Sequence, residues 1–183
     1  MIDQPDYSLE TEKQITKKIS SLVGVETFKP GLERLRPLFD YFQGEIRKRN
    51  IKIVTVGGTN GKGETCFYLS QYLEKSQKKW ALWSSPHVLS VRERFFSNNS
   101  LISYDHLSTL LEDNKELKDE LSYYEFLFYI FWKFVLKDPA LEIVILEVGL
   151  GGRFDAVNLF DADYTSIVSV SYTHLTLPTT PYV

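Results

Sequence analysis

With 183 residues the chain is long enough for one domain with a sizeable core, and 43% hydrophobic against 25% charged residues is a globular balance. A net charge of −3 leaves no basic footprint for nucleic acid. The single cysteine, Cys66, excludes an internal disulfide and suits a reducing compartment. Residues 1–12 are polar and acidic, unlike a signal or transit peptide. The longest apolar run, 126–136, contains Lys133 and is about half of a bilayer span. A cytoplasmic protein without a membrane partner is expected.

Two helices are predicted first. One covers about 8–22, with Ile15, Ile19 and Leu22 on one face. The other covers about 31–48, where Leu32, Leu35, Phe39, Phe42 and Ile46 recur at helical spacing. A β-branched strand follows at 51–56, then a glycine loop, then a helix with Cys66, Leu69 and Leu73 in register. Cys66 reads there as a small apolar residue, not a nucleophile. Residues 80–84 form a short buried strand, and 91–102 an irregular excursion turning at Asn98 and Asn99. Ser103 caps a helix carrying Leu107, Leu110 and Leu111. Ser122, Tyr123, Tyr124 and Glu125 open the most aromatic helix, which runs to about Leu136 and is stopped by Asp138 and Pro139. Residues 141–148 read as a strand buried on both faces, 149–158 as a second glycine loop, and 164–170 as a further strand.

Strands alternating with helices imply right-handed βαβ units and an α/β fold: a doubly wound, mostly parallel sheet flanked by helices. Ligands are then expected at the C-terminal ends of the strands, where both glycine loops fall. The end of the sequence differs in kind. From 164 to 183 there is no Asp, Glu, Lys or Arg, and Pro178 and Pro181 forbid a core helix or central strand. The expectation is an incomplete domain at 1–171 followed by an atypical Thr/Pro-rich, non-native tail at 172–183.

The first glycine loop carries the clearest chemistry. Strand, glycines, lysine and helix in that order are how a protein holds a polyphosphate, because glycines let backbone N–H groups face phosphate oxygens. The helix N-terminus adds partial positive charge and Lys62 a full one. The strict pattern G-x-x-x-x-G-K-[ST] is not met: Val56 stands where its first glycine belongs, and Gly63 follows the lysine. A plain glycine-rich turn with a solvated lysine and a P-loop nucleotide kinase or NTPase are the competing readings. Glu147 ends a buried strand, where a carboxylate is costly without a cation; a glutamate bonded to loop N–H groups is the alternative.

Four segments together resemble the folylpolyglutamate synthase and dihydrofolate synthase group of ATP-dependent amide ligases, relatives of the Mur ligases. They are Gly31-Leu32-Glu33-Arg34, Gly58-Thr59-Asn60-Gly61-Lys62-Gly63, Ser84-Ser85-Pro86-His87-Val88 with Arg92-Glu93-Arg94, and the run from Leu146 to Asn158 that includes Glu147, Gly149, Asp155 and Ala156. The resemblance covers 31–171 and implies a Mur-ligase-like central domain, truncated, without the C-terminal glutamate-ligase domain. It also implies ATP and Mg²⁺ as cofactors, dihydropteroate or tetrahydrofolate and L-glutamate as substrates, and a monomer at full length. The 183-residue chain alone is expected to be inactive. A Mur-type amino-acid ligase is the nearest alternative.

Residue by residue, the resemblance implies that Lys62 and Glu147 are catalytic. It implies nucleotide binding by Gly58, Thr59, Asn60, Gly61, Lys62, Gly63, Glu64 and Thr65. Glu64 departs from the family, which has Ser or Thr there, so Glu64 itself or Thr65 would take that place. Ser85, Glu147 and His174 are the implied metal ligands, although Thr173 precedes His174 where the family has Asp. His87, Arg92, Ser122, Tyr123, Tyr124, Glu125, Phe154, Asp155 and Ala156 are the implied substrate residues. Ser122 and Glu125 also have the spacing of a capping box, and Phe126, Phe128, Tyr129 and Phe131 read as core.

Overall fold

The computed structural model describes residues 8–24, 31–150 and 152–168. Helix α1 (Leu9–Val23) starts where the Ser8 hydroxyl accepts the Thr11 N–H and buries Ile15 and Ile19. Helix α2 (Arg36–Arg49) begins later than its apolar periodicity suggests. Pro37 lies in its first turn, and residues 32–35 form a separate turn that still presents Leu32 and Leu35 to the core. Strand β1 (Lys52–Gly58), helix α3 (Lys62–Lys75) and strand β2 (Trp80–Trp83) follow.

The predicted irregular excursion is in fact a short 3₁₀ turn, Val91–Arg94, and a hairpin of β3 (Phe96–Ser97) and β4 (Ser100–Leu101). Asn98 and Asn99 have φ of 46° and 67°, the left-handed pair that a two-residue hairpin turn requires. Strands of two residues give no alternation to read in the sequence. The hairpin joins the sheet because Trp80 N–H donates to Asn98 Oδ1 at 3.0 Å and β3 pairs with β2. Helices α4 (Tyr104–Asp113) and α5 (Tyr123–Val135) are capped by Ser103 and Ser122 as expected. Strands β5 (Ile143–Glu147) and β6 (Tyr164–Val168) complete the described elements.

The sheet order is β4-β3-β2-β5-β1-β6, with the β2–β3 and β3–β4 pairs antiparallel and the other three pairs parallel. Successive strand residues go to opposite faces. Ala81 and Trp83 enter the large core under α1, α2, α4 and α5, whereas Trp80 and Leu82 enter the smaller one under α3. Phe126, Phe128, Phe131 and Trp132 of α5 are fully buried, and Phe128 lies 5.2 Å from the Trp83 ring. Covering on both faces explains the continuous apolar run of β5. Among the described residues no helix is long and apolar enough to cross a membrane. The boundary at 171/172 and the tail after it fall outside the described residues.

Candidate functional site

β1 delivers the first glycine loop. A Cβ at Gly58, where φ is +138°, would lie 2.0 Å from the Val168 carbonyl oxygen of β6, so only glycine fits. The chain then turns through Gly61, in the left-handed region, into α3, whose first residue is Lys62. Lys62 Nζ donates back across the loop to the Gly58 carbonyl at 3.0 Å. The leading amides of α3 have no carbonyl within the helix to bond and are the natural anion donors. Glu64 is exposed on this first turn, and Thr65 is half-buried with its N–H donated to Gly61 O at 2.9 Å.

Glu147, the last residue of the neighbouring strand β5, is buried, and its Oε2 accepts the Ser85 N–H at 3.0 Å. A Cβ on Gly63 would stand 3.5 Å from Glu147 Oε1, so loop and carboxylate are immediate neighbours. Burial pushes the Glu147 pKa above the usual carboxylate value, while the Ser85 N–H and the positive charges of Lys62 and Arg94 oppose the shift. Ser85 Oγ is buried with no hydrogen-bond partner. An orphaned hydroxyl beside a carboxylate that is costly to bury fits a hard divalent cation, which takes few protein oxygens and completes its shell with phosphate and water. Among the described residues no three His, Cys, Asp or Glu cluster as a metal site, and His174 lies outside them.

The second glycine loop is held by a polar chain that starts on β2. Trp83 Nε1–H donates to the Tyr124 hydroxyl at 3.0 Å, and that hydroxyl donates to Asp155 Oδ1 at 2.9 Å. Asp155 Oδ2 accepts the N–H groups of Gly149 and Leu150 at 2.7 and 3.0 Å, and Oδ1 that of Val157 at 3.0 Å. Burial raises the pKa of Asp155, against the pull of these donors, and pushes Tyr124 well above the usual phenol value. Gly149 is where the two clusters meet: a Cβ there would lie 3.0 Å from Ser85 Oγ and 3.1 Å from both Asp155 Oδ2 and Tyr124 Cε2.

The other expected substrate residues are scattered. Ser122 and Glu125 form the capping box of α5, and Glu125 also pairs with Arg34. Tyr123 and Ala156 are buried, while Phe154 is exposed. Arg92 is buried against the Tyr104 ring, 4.3 Å from its centroid, and donates to the Ile102 carbonyl. His87 Nδ1 accepts from Arg94 Nε at 3.0 Å.

Sequence reasoning passed over two residues that organise the site. Arg94, quoted only as part of a motif, is buried 5.8 Å from the Trp83 ring centroid, with Nη1 unpartnered. Glu12 on α1 accepts from Ser90 Oγ at 2.7 Å, Val91 N–H at 2.8 Å and the Tyr104 hydroxyl at 2.9 Å. It thereby fixes the turn that carries Arg92 and Arg94. An acid on the same helix face as Ile15 and Ile19 was the available signal.

The chain is 41% identical over 122 residues to the dihydrofolate synthase/folylpolyglutamate synthase of Buchnera aphidicola from Schizaphis graminum, which covers 66% of this chain and 29% of that protein. Escherichia coli FolC, solved in complex with DHPP and ADP, superposes with a TM-score of 0.71 at 31% identity, over 87% of this chain and 39% of that one. The chain is a homologue of the dihydrofolate synthase/folylpolyglutamate synthases. A bifunctional folylpolyglutamate synthase/dihydrofolate synthase solved with Mn, AMPPNP and L-glutamate bound superposes at a TM-score of 0.70 and 30% identity, over 91% of this chain and 38% of that one. No family model matches the chain. The chain spans about a third of the length of the curated relatives it matches. The six-stranded, mostly parallel sheet flanked by helices is the architecture shared with these structures.

Proposed function

We propose that this chain carries the phosphate-handling part of an ATP-dependent carboxylate–amine ligase that adds L-glutamate to dihydropteroate, to a folate such as tetrahydrofolate, or to both. Phosphoryl transfer from ATP to the substrate carboxylate turns one carboxylate oxygen into a leaving group. The glutamate amine then attacks the carbonyl carbon, phosphate departs and an amide remains. The chain's own part is to hold and neutralise. The amides between Gly58 and Thr65 and the Lys62 ammonium would cradle the polyphosphate, aided by the N-terminal end of α3. Ser85 and Glu147 would hold Mg²⁺, which supplies positive charge against the phosphate oxygens. A cytoplasmic setting fits the single free thiol, Cys66.

The observation that carries the reading is the buried Glu147 carboxylate against Gly63, beside the unpartnered hydroxyl of Ser85. Titration calorimetry of ATP with Mg²⁺ against the chain tests it. Lys62→Ala should weaken binding at least tenfold and leave the circular-dichroism melt unchanged, because the lysine has no apolar role. Equal affinity in a well-folded variant would refute the cradle. Residues 31–168 grafted in place of the matching segment of the Escherichia coli relative should support glutamate-dependent ADP release with dihydropteroate or tetrahydrofolate.

A further inference from the structure

Ser85 is one of the two residues proposed for the cation, yet it sits on a segment with no helix or strand of its own. Residues 84–90 leave β2 and reach the 3₁₀ turn Val91–Arg94 as irregular chain. Such a stretch has no backbone ladder, so a side chain on it keeps its place only if other groups fasten the segment. Glu93 fastens it at both ends. The Glu93 main-chain carbonyl accepts the Ser84 hydroxyl at 2.9 Å. The Glu93 carboxylate takes the far end: Oε2 accepts the Val88 N–H at 2.7 Å, and Oε1 accepts those of Leu89 and Ser90, each at 2.8 Å. Ser85 lies between these anchors and gives its own N–H to Glu147.

We propose that Glu93 is a positioning residue for the cation site: it holds the 84–90 segment so that Ser85 already stands at Glu147 when a divalent cation arrives. The inference rests on the ligase reading and adds to it the residue that keeps one of the two metal ligands in place. Three observations favour it. The bond from Ser90 alone completes the capping box of the 3₁₀ turn, but those from Val88 and Leu89 go beyond what a cap requires. The base of the clamp is itself fixed, because Glu12 of α1 accepts the Ser90 hydroxyl and the Val91 N–H. The buried Ser85 hydroxyl, between the anchors, is left without a protein partner. Ser85, Glu93 and Glu147 border one cavity of about 600 Å³, so a hydrated cation has room to enter. Glu93 acts through Ser85 and does not touch the cation, since its two carboxylate oxygens are taken up by three N–H groups. Without the clamp, cation binding must also order the segment, and affinity falls.

The test is a titration of the 183-residue chain with Mn²⁺ in saturating ADP, read from the paramagnetic resonance of the free ion. ADP affinity in EDTA, measured by calorimetry, is the control for the fold and the glycine loop. Two variants separate reach from charge. Glu93→Asp keeps the charge but is one methylene too short for the clamp, and should bind Mn²⁺ about tenfold more weakly than the parent. Glu93→Gln loses the charge but keeps an oxygen for the Leu89 and Ser90 N–H groups, and should stay within about threefold of the parent. ADP affinity in EDTA should be equal in all three chains. An aspartate variant with the parent's Mn²⁺ affinity would overturn the assignment. So would a glutamine variant weaker than the aspartate one, which would trace the effect to the lost charge. A matching fall in metal-free ADP affinity would also overturn it, because the site would then have loosened as a whole. If the parent binds ADP and Mn²⁺ and both variants bind Mn²⁺ like the parent, this inference fails while the ligase reading stands. If the parent binds neither ADP nor Mn²⁺, the ligase reading fails with it.

Discussion

Replacing Glu12 should loosen the loop that frames the site, at a cost that can be worked from its three partners. In Glu12→Ala the Val91 N–H, on a fully buried residue, loses its acceptor, and the hydroxyls of Ser90 and Tyr104 lose theirs. One buried orphan amide costs about 1–3 kcal/mol. The hydroxyls can rotate and recover part of their loss, and removing a buried charge offsets some of the rest. The expected net loss is roughly 2–4 kcal/mol. Glu12→Gln is the informative companion. Its amide oxygen can keep the Val91 bond, and its NH₂ can face the two hydroxyls if they turn to accept. Only charge assistance is lost, for about 1 kcal/mol. Urea melts should show lower midpoints at constant m-value, and amide exchange should accelerate at Val91 in the alanine variant first. An alanine variant within about 0.5 kcal/mol of the parent, or one equal to the glutamine variant, would show that the carboxylate does not hold the turn.

Three further outcomes follow from the same geometry. Because burial holds the folded pKa of Glu147 above its ordinary value of 4.5, the native state binds the extra proton and stability falls as pH rises from that value through the raised one. Glu147→Gln should therefore flatten that slope and raise Tm at neutral pH without metal, while abolishing any Mg²⁺ dependence of nucleotide binding; a metal response like the parent's would move the metal elsewhere. Gly149→Ala, forced against Ser85 Oγ, Asp155 Oδ2 and Tyr124 Cε2, should cost about 1–3 kcal/mol in a thermal melt, and a neutral result would mean the loop yields freely. Cys66, fully buried with its thiol pKa raised to about 12, should resist iodoacetamide at pH 8 until urea is added, and native labelling at a free-thiol rate would contradict its placement.

Most of the framework was legible because it is periodic. Helix faces at Ile15/Ile19 and Phe39/Phe42/Ile46, the capping serines, and the apolar run of β5 each follow from a repeat that one stretch of chain displays. The site was legible as far as its glycines and lysine were contiguous. Partnerships across the fold were not. Nothing local says that Tyr124 will spend its hydroxyl on Asp155, 31 positions away, or that Glu12 will meet Val91, 79 positions away. The hairpin failed for the opposite reason: its strands are too short to alternate, and the turn rests on two asparagines with positive φ. The capping role of Ser122 and Glu125 and the substrate role implied by resemblance were both readable, and the geometry accounts for the first.

Strand β1 sits between β5 and β6, both of which come from much later in the chain; the Lys52 side chain, for instance, bonds Asp163, 111 positions on. The void at Gly58 is filled by the carbonyl of Val168. A ribosome thus completes the glycine loop's sequence long before it supplies the backbone that gives the loop its shape. During that interval the nascent loop has its letters without its walls, and ATP cannot act as a template for its folding. Nucleotide should therefore protect this region from protease only after β6 has left the exit tunnel, which makes acquisition of ligand-dependent protection a clock for closure of the sheet.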